Sequence, residues 1–331
     1  MPPRPKLSDQ PETLRPFLFH GIDLNWGDKD EEAVGTCPWC GRDKFSVQIA
    51  TGMWRCFVCN EGQENDKAVK GGNALVFIRM LWERGFANTP TLDYRTLSMD
   101  RKLLYPETLV EWQLAKSPTT GSWLLPGYNS DGKMMGLYQY VFNGKRWFWL
   151  PTPTMGHHLL GMNLLNRDHG LIYLCEGVWD GAALWETLSK TKVVQSESNG
   201  HAKYAQTASR ASSLLAEESV LAIAGCQAFN EQWISLFRDK VVCLMCQNDH
   251  EKRMCKGCKK SYSRFTHQQC PQCGNTEVTD TIIPPASYTA MQRIAHLISP
   301  VTESIHFLHW GEDGYDQSLP SGYDTRDFIT A

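Results

Sequence analysis

Three carboxylates follow two apolar runs of the sequence in a way that would bring them together. The run 171–175 predicts a buried strand, and it leads directly into Glu176. Asp180 opens the helix-like segment that follows, and a second apolar run, 241–246, leads to Asp249. Ligand sites in open α/β sheets lie outside the carboxyl ends of the strands, so we expect these acids to meet at one edge. Carboxylate oxygens bind hard divalent cations, and the pattern therefore predicts a Mg²⁺ or Mn²⁺ site.

The order of these residues also forms a motif. An apolar strand is followed by Glu176-Gly177, two further residues and Asp180, and a later strand ends in Gln247-Asn248-Asp249. This pattern resembles the Toprim domain that bacterial and phage DNA primases share with topoisomerases and some nucleases. The resemblance implies that Glu176, Asp180 and Asp249 are catalytic and hold metal ions, directly or through water. From the residues alone, the alternative is an ordinary strand–helix unit with a surface glutamate.

Eight of the twelve cysteines form two sets, each made of two Cys-x-x-Cys pairs. The sequence begins Met-Pro-Pro-Arg-Pro-Lys, without the apolar core of a secretory signal, so metal ligands are expected rather than disulfides. Four thiolates close a tetrahedral site, which makes the expected Zn²⁺ structural. The sequence thus predicts two zinc ribbons, with the ligands Cys37, Cys40, Cys56 and Cys59 in the first and Cys255, Cys258, Cys270 and Cys273 in the second.

The first ribbon is predicted to contain strands over 44–49 and 53–55, with a turn at Gly52 and a helix that starts after the N-cap Asn73. Its cysteine spacing and the Gly-Gly before the helix resemble the zinc-binding domain of primases, which helps to select the template site and hold the start of the primer. Cys40 stands where the cellular enzymes often have His. The candidate nucleic-acid surface interleaves aromatic and basic residues: Trp39, Arg42, Lys44, Phe45, Trp54 and Arg55. The alternative is that the three aromatic residues form the small core of the ribbon.

The middle of the chain is predicted to be a small mixed α+β subdomain. Residues 88–100 are polar and predict a linker. A short helix is expected after Pro106, a β-hairpin over 123–141 with its turn at Asp131-Gly132, and a third strand over 145–150.

This order of strands and turns resembles the subdomain that precedes Toprim in primases. The resemblance implies that Lys133, Lys145 and Arg146 guide template and nucleotide phosphates. Tyr138 and Gln139 stand where that family often has a further arginine. A solvated hairpin with ordinary surface lysines is the alternative.

The second ribbon interrupts the Toprim pattern, which would otherwise turn into a helix directly after Asp249. Residues 251–273 carry six basic residues and one acidic residue, a net charge of +5. Residues 171–331 as a whole have 14 basic and 18 acidic residues, a net of −4, so the remainder of this region carries −9. Lys252, Arg253, Lys259 and Lys260 are therefore candidate nucleic-acid contacts. The role of the ribbon stays open among a DNA clamp, a stabilising plug and a docking site.

Further elements are expected around this ribbon. Strands are predicted from 219 and over 304–310, and helices over 231–238 and 284–298. The pair Cys243-x-x-Cys246 has metal-ligand spacing, but it lies inside an apolar strand, where residues three apart face opposite sides, so it is predicted to belong to the core.

One residue departs from the Toprim pattern. The later acidic motif is usually Asp-x-Asp, whereas Gln247 puts a neutral amide in the first position, which should lower metal affinity. The tail Gly-Tyr-Asp-Thr-Arg-Asp over 322–327 resembles the segment that follows Toprim in primases. Asp324 and Asp327 are therefore candidate Mg²⁺ ligands that would compensate.

Composition limits the remaining classes. The 331 residues are 42% hydrophobic with a net charge of −3, and no apolar stretch reaches membrane-spanning length. A packed protein of the cytoplasm, with no membrane partner, is expected.

Together, these observations predict an α/β protein with three parts: a zinc-ribbon domain over 1–87, an α+β part over 88–168 and a Toprim-like domain over 169–331, with the second ribbon inserted at about 251–278. The resemblance implies a DNA primase, of phage or plasmid type, that makes short RNA on single-stranded DNA from nucleoside triphosphates. The resemblance also implies Zn²⁺ and either Mg²⁺ or Mn²⁺ as cofactors, and a replicative helicase as a partner. The alternatives are a catalytically degenerate primase-like DNA-binding factor and a Toprim nuclease.

Overall fold

The computed structural model describes residues 7–27, 30–59, 71–140, 158–167, 170–197, 218–225, 227–263, 267–308, 310–311 and 315–329. The chain divides into two compact units. The first consists of Met1–Tyr94 and Gln113–His157, and the second of Arg95–Trp112 and His158–Ala331. The division into three domains stays a prediction. The predicted strand over 145–150 lies outside the described residues.

The first unit contains a five-stranded antiparallel sheet that follows the chain order. A short helix α1 (Arg15–Phe19) precedes it. Its strands are β1 (Leu24–Asn25), β2 (Glu32–Gly35), β3 (Phe45–Gln48), β4 (Trp54–Cys56) and β5 (Gly71–Gly72). The predicted turn between β3 and β4 is present, and Gly52 adopts a φ of +68° there, which favours glycine.

Helix α2 (Ala74–Asn88) begins where the sequence predicted. The side chain of Asn73 accepts a hydrogen bond from the N–H of Val76 at 3.0 Å, as an N-cap does. The helix buries Phe77 against Phe45 and Trp54 of the ribbon sheet, with ring centroids 6.0 Å from each. Helix and ribbon therefore share one hydrophobic core.

A second sheet in this unit is built from β6 (Ala115–Lys116), β7 (Trp123–Tyr128) and β8 (Met134–Tyr140), all antiparallel. Strands β7 and β8 form the predicted hairpin, with the turn at Gly132. Helix α2 packs closely on β6 because Gly85 has no side chain, since a Cβ there would lie 2.5 Å from the carbonyl oxygen of Lys116.

The predicted linker over 88–100 is wrong. It contains helix α3 (Thr91–Asp100), followed by the short helix α4 (Glu107–Glu111) that was expected. The proline that suggested a linker stands just before the first turn of α3, where a missing N–H costs nothing, and its carbonyl accepts the N–H of Asp93 at 3.0 Å. Leu97 of α3 is fully buried, which gives the helix an apolar side that the polar composition obscured.

The second unit is organised around a four-stranded parallel sheet. Its strands are β9 (Leu171–Cys175), β10 (Glu218–Ala222), β11 (Val241–Met245) and β15 (Ser304–Leu308), in the spatial order β10-β9-β11-β15. The strands are in matching register, with Cys175 opposite both Ala222 and Met245, and Met245 opposite Leu308. Their carboxyl ends therefore lie at one edge, as the sequence predicted.

Helices cover this sheet. Helix α5 (Val178–Glu197) follows β9 and contacts β9 and β10, and helix α6 (Ala286–Ile298) contacts β11. The helix predicted over 231–238 is a 3₁₀ helix over Glu231–Phe237, and the side chain of its N-cap Asn230 accepts from the N–H of Gln232. Helix α4 is fixed to α5 by Glu186, whose buried carboxylate accepts from Leu104 N, Tyr105 N and Thr108 Oγ1 at 2.7, 3.0 and 2.6 Å.

The insertion between β11 and α6 is a three-stranded antiparallel sheet. It consists of β12 (Lys252–Cys255), β13 (Ser261–Tyr262) and β14 (Val278–Ile283), with β12 in the centre. The described chain ends with helix α7 (Thr325–Ile329).

Candidate metal centres

Both sets of four cysteines are assembled as the sequence predicted. Within each set the sulfur atoms all lie within 4.8 Å of one another. The Cys37–Cys59 and Cys40–Cys56 sulfurs are 3.8 and 3.7 Å apart, and those of Cys255–Cys273 and Cys258–Cys270 are 3.6 and 3.5 Å apart. A tetrahedron with Zn–S bonds of about 2.3 Å separates its sulfurs by about 3.8 Å, so both quartets fit Zn²⁺.

The two quartets differ in what surrounds them. In the first, Cys37 and Cys56 belong to the main core of their unit, and burial raises the pKa of the Cys37 thiol to about 11. The second has its own small cluster, in which Cys255, Tyr262 and Cys270 are buried. There the backbone N–H of Cys258 lowers the pKa of the Cys255 thiol to about 7. Loss of metal should therefore disturb the whole first unit but only the inserted ribbon of the second.

The carboxyl edge of the parallel sheet brings three polar side chains into contact. Asp180, on the first turn of α5, is 4% exposed, and the side-chain amide of Gln247 donates to its Oδ2 at 3.1 Å. Asp180 is also hydrogen-bonded to Asp324 from the tail. Burial, and then the charge and hydrogen bond of Asp324, raise the pKa of Asp180 well above its usual range, whereas Gln247 and the charge of Arg326 lower it. Two carboxyl groups thus meet here, next to the residue that departs from the Toprim pattern.

Arg326 supplies positive charge to this edge. Its guanidinium lies 2.9 Å from Asp324 Oδ2 and 3.9 Å from Asp327 Oδ1, and the arginine side chain is only 14% exposed. Asp327 also pairs with Lys102 at 3.1 Å, and its N–H donates to Asp324. Of the two tail acids proposed as compensating ligands, Asp324 reaches Asp180, while Asp327 contacts these cationic groups. Arg326 was not predicted as a site residue, although the sequence has a basic residue between two acids there.

The tail is held in place by Asn248, which was likewise not predicted as a site residue. This side chain is fully buried, accepts from the N–H of Asp316 at 2.7 Å and donates to the carbonyls of Asp316 and Pro320 at 3.0 and 3.1 Å. Its backbone pairs with Tyr323 in an antiparallel bridge. Asn248 therefore fixes the segment that delivers Asp324 to Asp180. The sequence feature that could have indicated this role is a side-chain amide just after the apolar run 241–246.

The other two predicted acids lie at the same edge. Glu176 directly follows β9 and is buried, and its charge contributes to the raised pKa of the Cys246 thiol, which burial chiefly causes. Asp249 is half-buried, and its Oδ2 accepts from the N–H of Ser287 at the start of α6, at 3.2 Å. In the described part of the chain, two groups of three or more His, Cys, Asp or Glu residues have all their ligand atoms within 4.8 Å of one another, and both are the cysteine quartets. The carboxylates at the sheet edge do not form a third group of this kind.

The donor set at this edge fits a hard divalent cation. Carboxylate oxygens and one amide are the ligand types that Mg²⁺ and Mn²⁺ prefer. At Asp180, burial and then the neighbouring Asp324 disfavour the charged carboxylate and raise its pKa, and Gln247 and Arg326 offset part of this effect. A bound cation would provide the same compensation.

The aromatic residues of the first ribbon are core. Phe45 and Trp54 are buried, and the ring of Trp39 stacks on Trp54 at 4.9 Å. Arg42, Lys44 and Arg55 are exposed, and Arg55 pairs with Glu32 at 2.7 Å. This agrees with the alternative reading for the aromatic residues and leaves the basic ones at the surface.

The remaining predicted contacts are dispersed. Lys133 is exposed at the turn between β7 and β8, whereas Lys145, Arg146 and Arg264 lie outside the described residues. On the inserted ribbon, Lys252 and Arg253 are half-buried in β12, and Lys259 and Lys260 are exposed. Cys246 is buried and Cys243 half-buried, and neither belongs to a quartet.

No protein-family model matches this chain, and no curated protein matches it in sequence. Solved structures do match it, and the three that follow are DNA primases. The Aquifex aeolicus primase, with zinc-binding and RNA polymerase domains, is 14% identical, with 98% of this chain and 80% of that chain covered and a TM-score of 0.34. The primase fragment of the bacteriophage T7 primase-helicase protein is 13% identical, with 82% and 87% covered and a TM-score of 0.36. The E. coli primase catalytic core is 12% identical, with 76% and 73% covered and a TM-score of 0.39.

These structures belong to the family that the motifs resemble. The chain itself is a mixed α/β protein with two four-cysteine sites. Within the described ranges, no helix has both the length and the apolar character needed to cross a membrane.

Proposed function

We propose that this protein is a DNA primase that makes short RNA on a single-stranded DNA template from nucleoside triphosphates. The observation that supports this most is the carboxyl edge of the parallel sheet, where Asp180, Asp324 and Gln247 are in contact and Glu176 and Asp249 follow the ends of the two central strands. A four-cysteine ribbon precedes this sheet in the sequence, and this order of domains is the one expected of a primase.

The chemistry asks for charge neutralisation and positioning. Bound Mg²⁺ or Mn²⁺ would neutralise the triphosphate and activate the 3′-hydroxyl of the growing primer. Glu176, Asp180, Asp249 and Asp324 would hold the cation, directly or through water. Gln247 orients the carboxyl group of Asp180 through its 3.1 Å hydrogen bond, and Asn248 keeps Asp324 in reach.

The cationic residues have separate tasks in this proposal. Lys133, Lys145 and Arg146 bind phosphates of the template or the incoming nucleotide. Arg326 balances Asp324 when no metal is bound. The first ribbon selects the template site, with its exposed basic residues facing the DNA. The protein would act in the cytoplasm of a host cell, as a phage or plasmid product, beside a replicative helicase.

A second function is favoured by two of the same residues. Gln247 removes one carboxylate from the usual motif, and Arg326 already neutralises Asp324 at 2.9 Å. An edge balanced in this way would suit a catalytically degenerate factor that binds single-stranded DNA without making primers.

One assay separates these functions. Purified protein is incubated with a long mixed-sequence single-stranded DNA, four ribonucleoside triphosphates of which one is labelled, and Mg²⁺ or Mn²⁺. A primase yields labelled oligonucleotides that alkali destroys. Fragments of end-labelled DNA would instead identify a Toprim nuclease, and bound but unchanged DNA without labelled product would identify the degenerate factor.

A further inference from the structure

The inserted ribbon begins and ends next to the carboxyl edge of the parallel sheet. We call this edge the acidic edge, after its carboxyl groups of Glu176, Asp180, Asp249 and Asp324. The first strand of the ribbon, β12, starts three residues after Asp249, and its last strand, β14, ends three residues before α6. The two strands pair at their bases, Lys252 with Ile283, and the N–H of Ser287 on α6 donates to Asp249. Both ends of the insertion are therefore fixed at the place where the candidate metal ligands lie.

Each Cys-x-x-Cys turn of this ribbon is called a knuckle here. The first knuckle, at Cys255–Cys258, carries an exposed group of positive charges. Lys256 lies between Cys255 and Cys258, and Lys259 and Lys260 follow directly, all three exposed. Within the described ranges none of their ammonium groups lies within 4.0 Å of a carboxylate. No carboxylate of the described residues therefore neutralises these cations, while the rest of residues 171–331 is strongly acidic.

The second knuckle adds hydrogen-bonding groups. His267, Gln268, Gln269 and Thr276 line an open cleft beside Cys270. Exposed imidazole, amide and hydroxyl groups match the donor and acceptor edges of unpaired bases. In contrast, Tyr262 is buried, so the described part of the ribbon exposes no Phe, Tyr or Trp ring for stacking. Binding by such a surface would depend mainly on phosphate charge and would be sensitive to salt.

The distance along the chain limits where a bound strand would lie. Seven residues separate Asp249 from Lys256, which span at most about 24 Å when fully extended. At about 3.4 Å per nucleotide of a stacked strand, this corresponds to about seven nucleotides. A phosphate bound at Lys256 would therefore lie within about seven nucleotides of Asp249.

We propose that the inserted ribbon is a binding site for single-stranded DNA, in which Lys256, Lys259 and Lys260 contact phosphates within about seven nucleotides of the acidic edge. The choice of a single DNA strand rests on the proposed primase function. The ribbon contact itself is separate from the chemistry, because none of its lysines belongs to the candidate metal site.

The test compares charge removal at two places in the full-length, zinc-loaded protein. Binding to a fluorescent mixed-sequence single-stranded DNA, about 20 nucleotides long, is measured in the absence of nucleoside triphosphates at KCl concentrations of about 50–300 mM. The slope of log K against log[salt] then reports the number of phosphate contacts. The variant Lys256→Gln/Lys260→Gln should flatten the slope of log K against log[salt] by about 1.4, since each single-strand phosphate contact contributes about 0.7. At about 0.1 M salt its affinity should fall on the order of tenfold.

Three controls make the result specific. Arg238→Gln/Arg293→Gln removes the same charge from exposed positions of the same unit outside the ribbon and should leave the slope unchanged. Lys256→Arg/Lys260→Arg should keep the wild-type slope. Every variant should retain two zinc ions, which shows that the ribbon is folded.

An unchanged slope in the double lysine variant, or an equal change in the arginine control, overturns the ribbon proposal even if the protein makes primers. A flattened slope in a protein that makes no primers supports the ribbon contact and overturns the proposed function instead. The two proposals can therefore fail separately.

Discussion

Gln247 is the residue where this chain departs most clearly from the motif it resembles. Its amide donates to Asp180, where the resemblance implies a carboxylate. The neighbouring Asp324 and Arg326 supply the carboxyl group and the balancing charge from the tail. The metal-binding capacity of the edge should therefore depend on which charge stands at position 247.

We expect Gln247→Asp to lower the Mg²⁺ concentration needed for half-maximal primer synthesis, on the order of tenfold, because it adds an anionic oxygen beside Asp180. Without metal, repulsion among three carboxyl groups should lower the melting temperature of the variant, and Mg²⁺ should restore it. Magnesium titrations of synthesis and of thermal unfolding measure both effects, with Gln247→Asn as the uncharged control.

If wild type makes no primer at any metal concentration and Gln247→Asp does, the native protein is a degenerate primase. Identical metal dependence of the two proteins would show that position 247 does not act on the metal.

His20 predicts a pH dependence of stability in the first unit. It is fully buried between aromatic rings, and neither ring nitrogen has a hydrogen-bond partner among the described residues. Burial lowers its pKa to about 4. Between pH 6.5 and about 4 the unfolded chain binds a proton that the folded chain does not, so stability should fall as pH falls through this window. The loss should be about 3 kcal/mol.

Urea unfolding of wild type and His20→Leu at several pH values measures this contribution, because the difference between the two proteins cancels the other titrating groups. His296→Gln, at an exposed position, should behave like wild type. A difference between wild type and His20→Leu that stays constant from pH 7 to pH 4 would contradict the assignment.

At the scale of elements, the tail segment 316–323 depends on Asn248 at the end of β11. We expect Asn248→Ala to lower the free energy of unfolding by about 3 kcal/mol, because a buried N–H and two carbonyls would lose their hydrogen-bond partner. Hydrogen exchange should become faster at the N–H of Asp316, which donates to the Asn248 side chain, and at the N–H of Gly322, which donates to the backbone carbonyl of Asn248 and depends on the same segment staying in place.

Ser318→Ala is the matched control. It removes the side-chain hydrogen bond to Asp316 on the same segment, 2.7 Å long, but leaves the contacts of Asn248 intact. Equal exchange rates in the two variants would mean that Asn248 does not hold the tail.

The two ribbons should respond differently to loss of a ligand. Each chain should bind two zinc ions by elemental analysis, and Cys37→Ser and Cys255→Ser should each bind one. Structural zinc binding contributes on the order of 10 kcal/mol to folding, so Cys37→Ser should unfold the first unit, whose core includes its quartet, and abolish template-directed initiation.

Cys255→Ser should disorder only the small cluster of the inserted ribbon. Cys243→Ser, outside both quartets, should keep both metals. Cooperative loss of the whole protein in both ligand variants would contradict this division.

The sequence predicted regular elements well where apolar runs and capping residues coincide, as at β9, β11 and α2. It failed at α3, because a proline before a helix and a polar surface also describe a linker. The contact of Asp180 with Asp324 was not predictable in detail, because it depends on hydrogen bonds between Asn248 and Asp316, 68 residues apart. Arg326 and Asp324 are only two positions apart in the sequence, but the effect of Arg326 on Asp180 depends on how the tail packs.

At the scale of the whole molecule, the two units differ in how their metal sites relate to their folds. The first unit is built around its zinc quartet, whereas the second is built around a parallel sheet to which a zinc ribbon has been added. The acidic residues follow strands of this sheet and lie outside both cysteine quartets, so removing zinc from the second ribbon and removing a carboxylate from the sheet edge should have separable effects.

The most direct test of the proposed function is the incorporation of labelled ribonucleotides on single-stranded DNA by wild type, Glu176→Gln and Asp249→Asn over a range of Mg²⁺ and Mn²⁺. An amide of the same shape cannot neutralise a cation, so both variants should lose at least a hundredfold in synthesis, while DNA binding and melting temperature stay within the range of wild type. Metal-dependent synthesis by wild type that disappears in both variants is the predicted result. Synthesis that survives in both would contradict the assignment of the acidic edge as the catalytic centre.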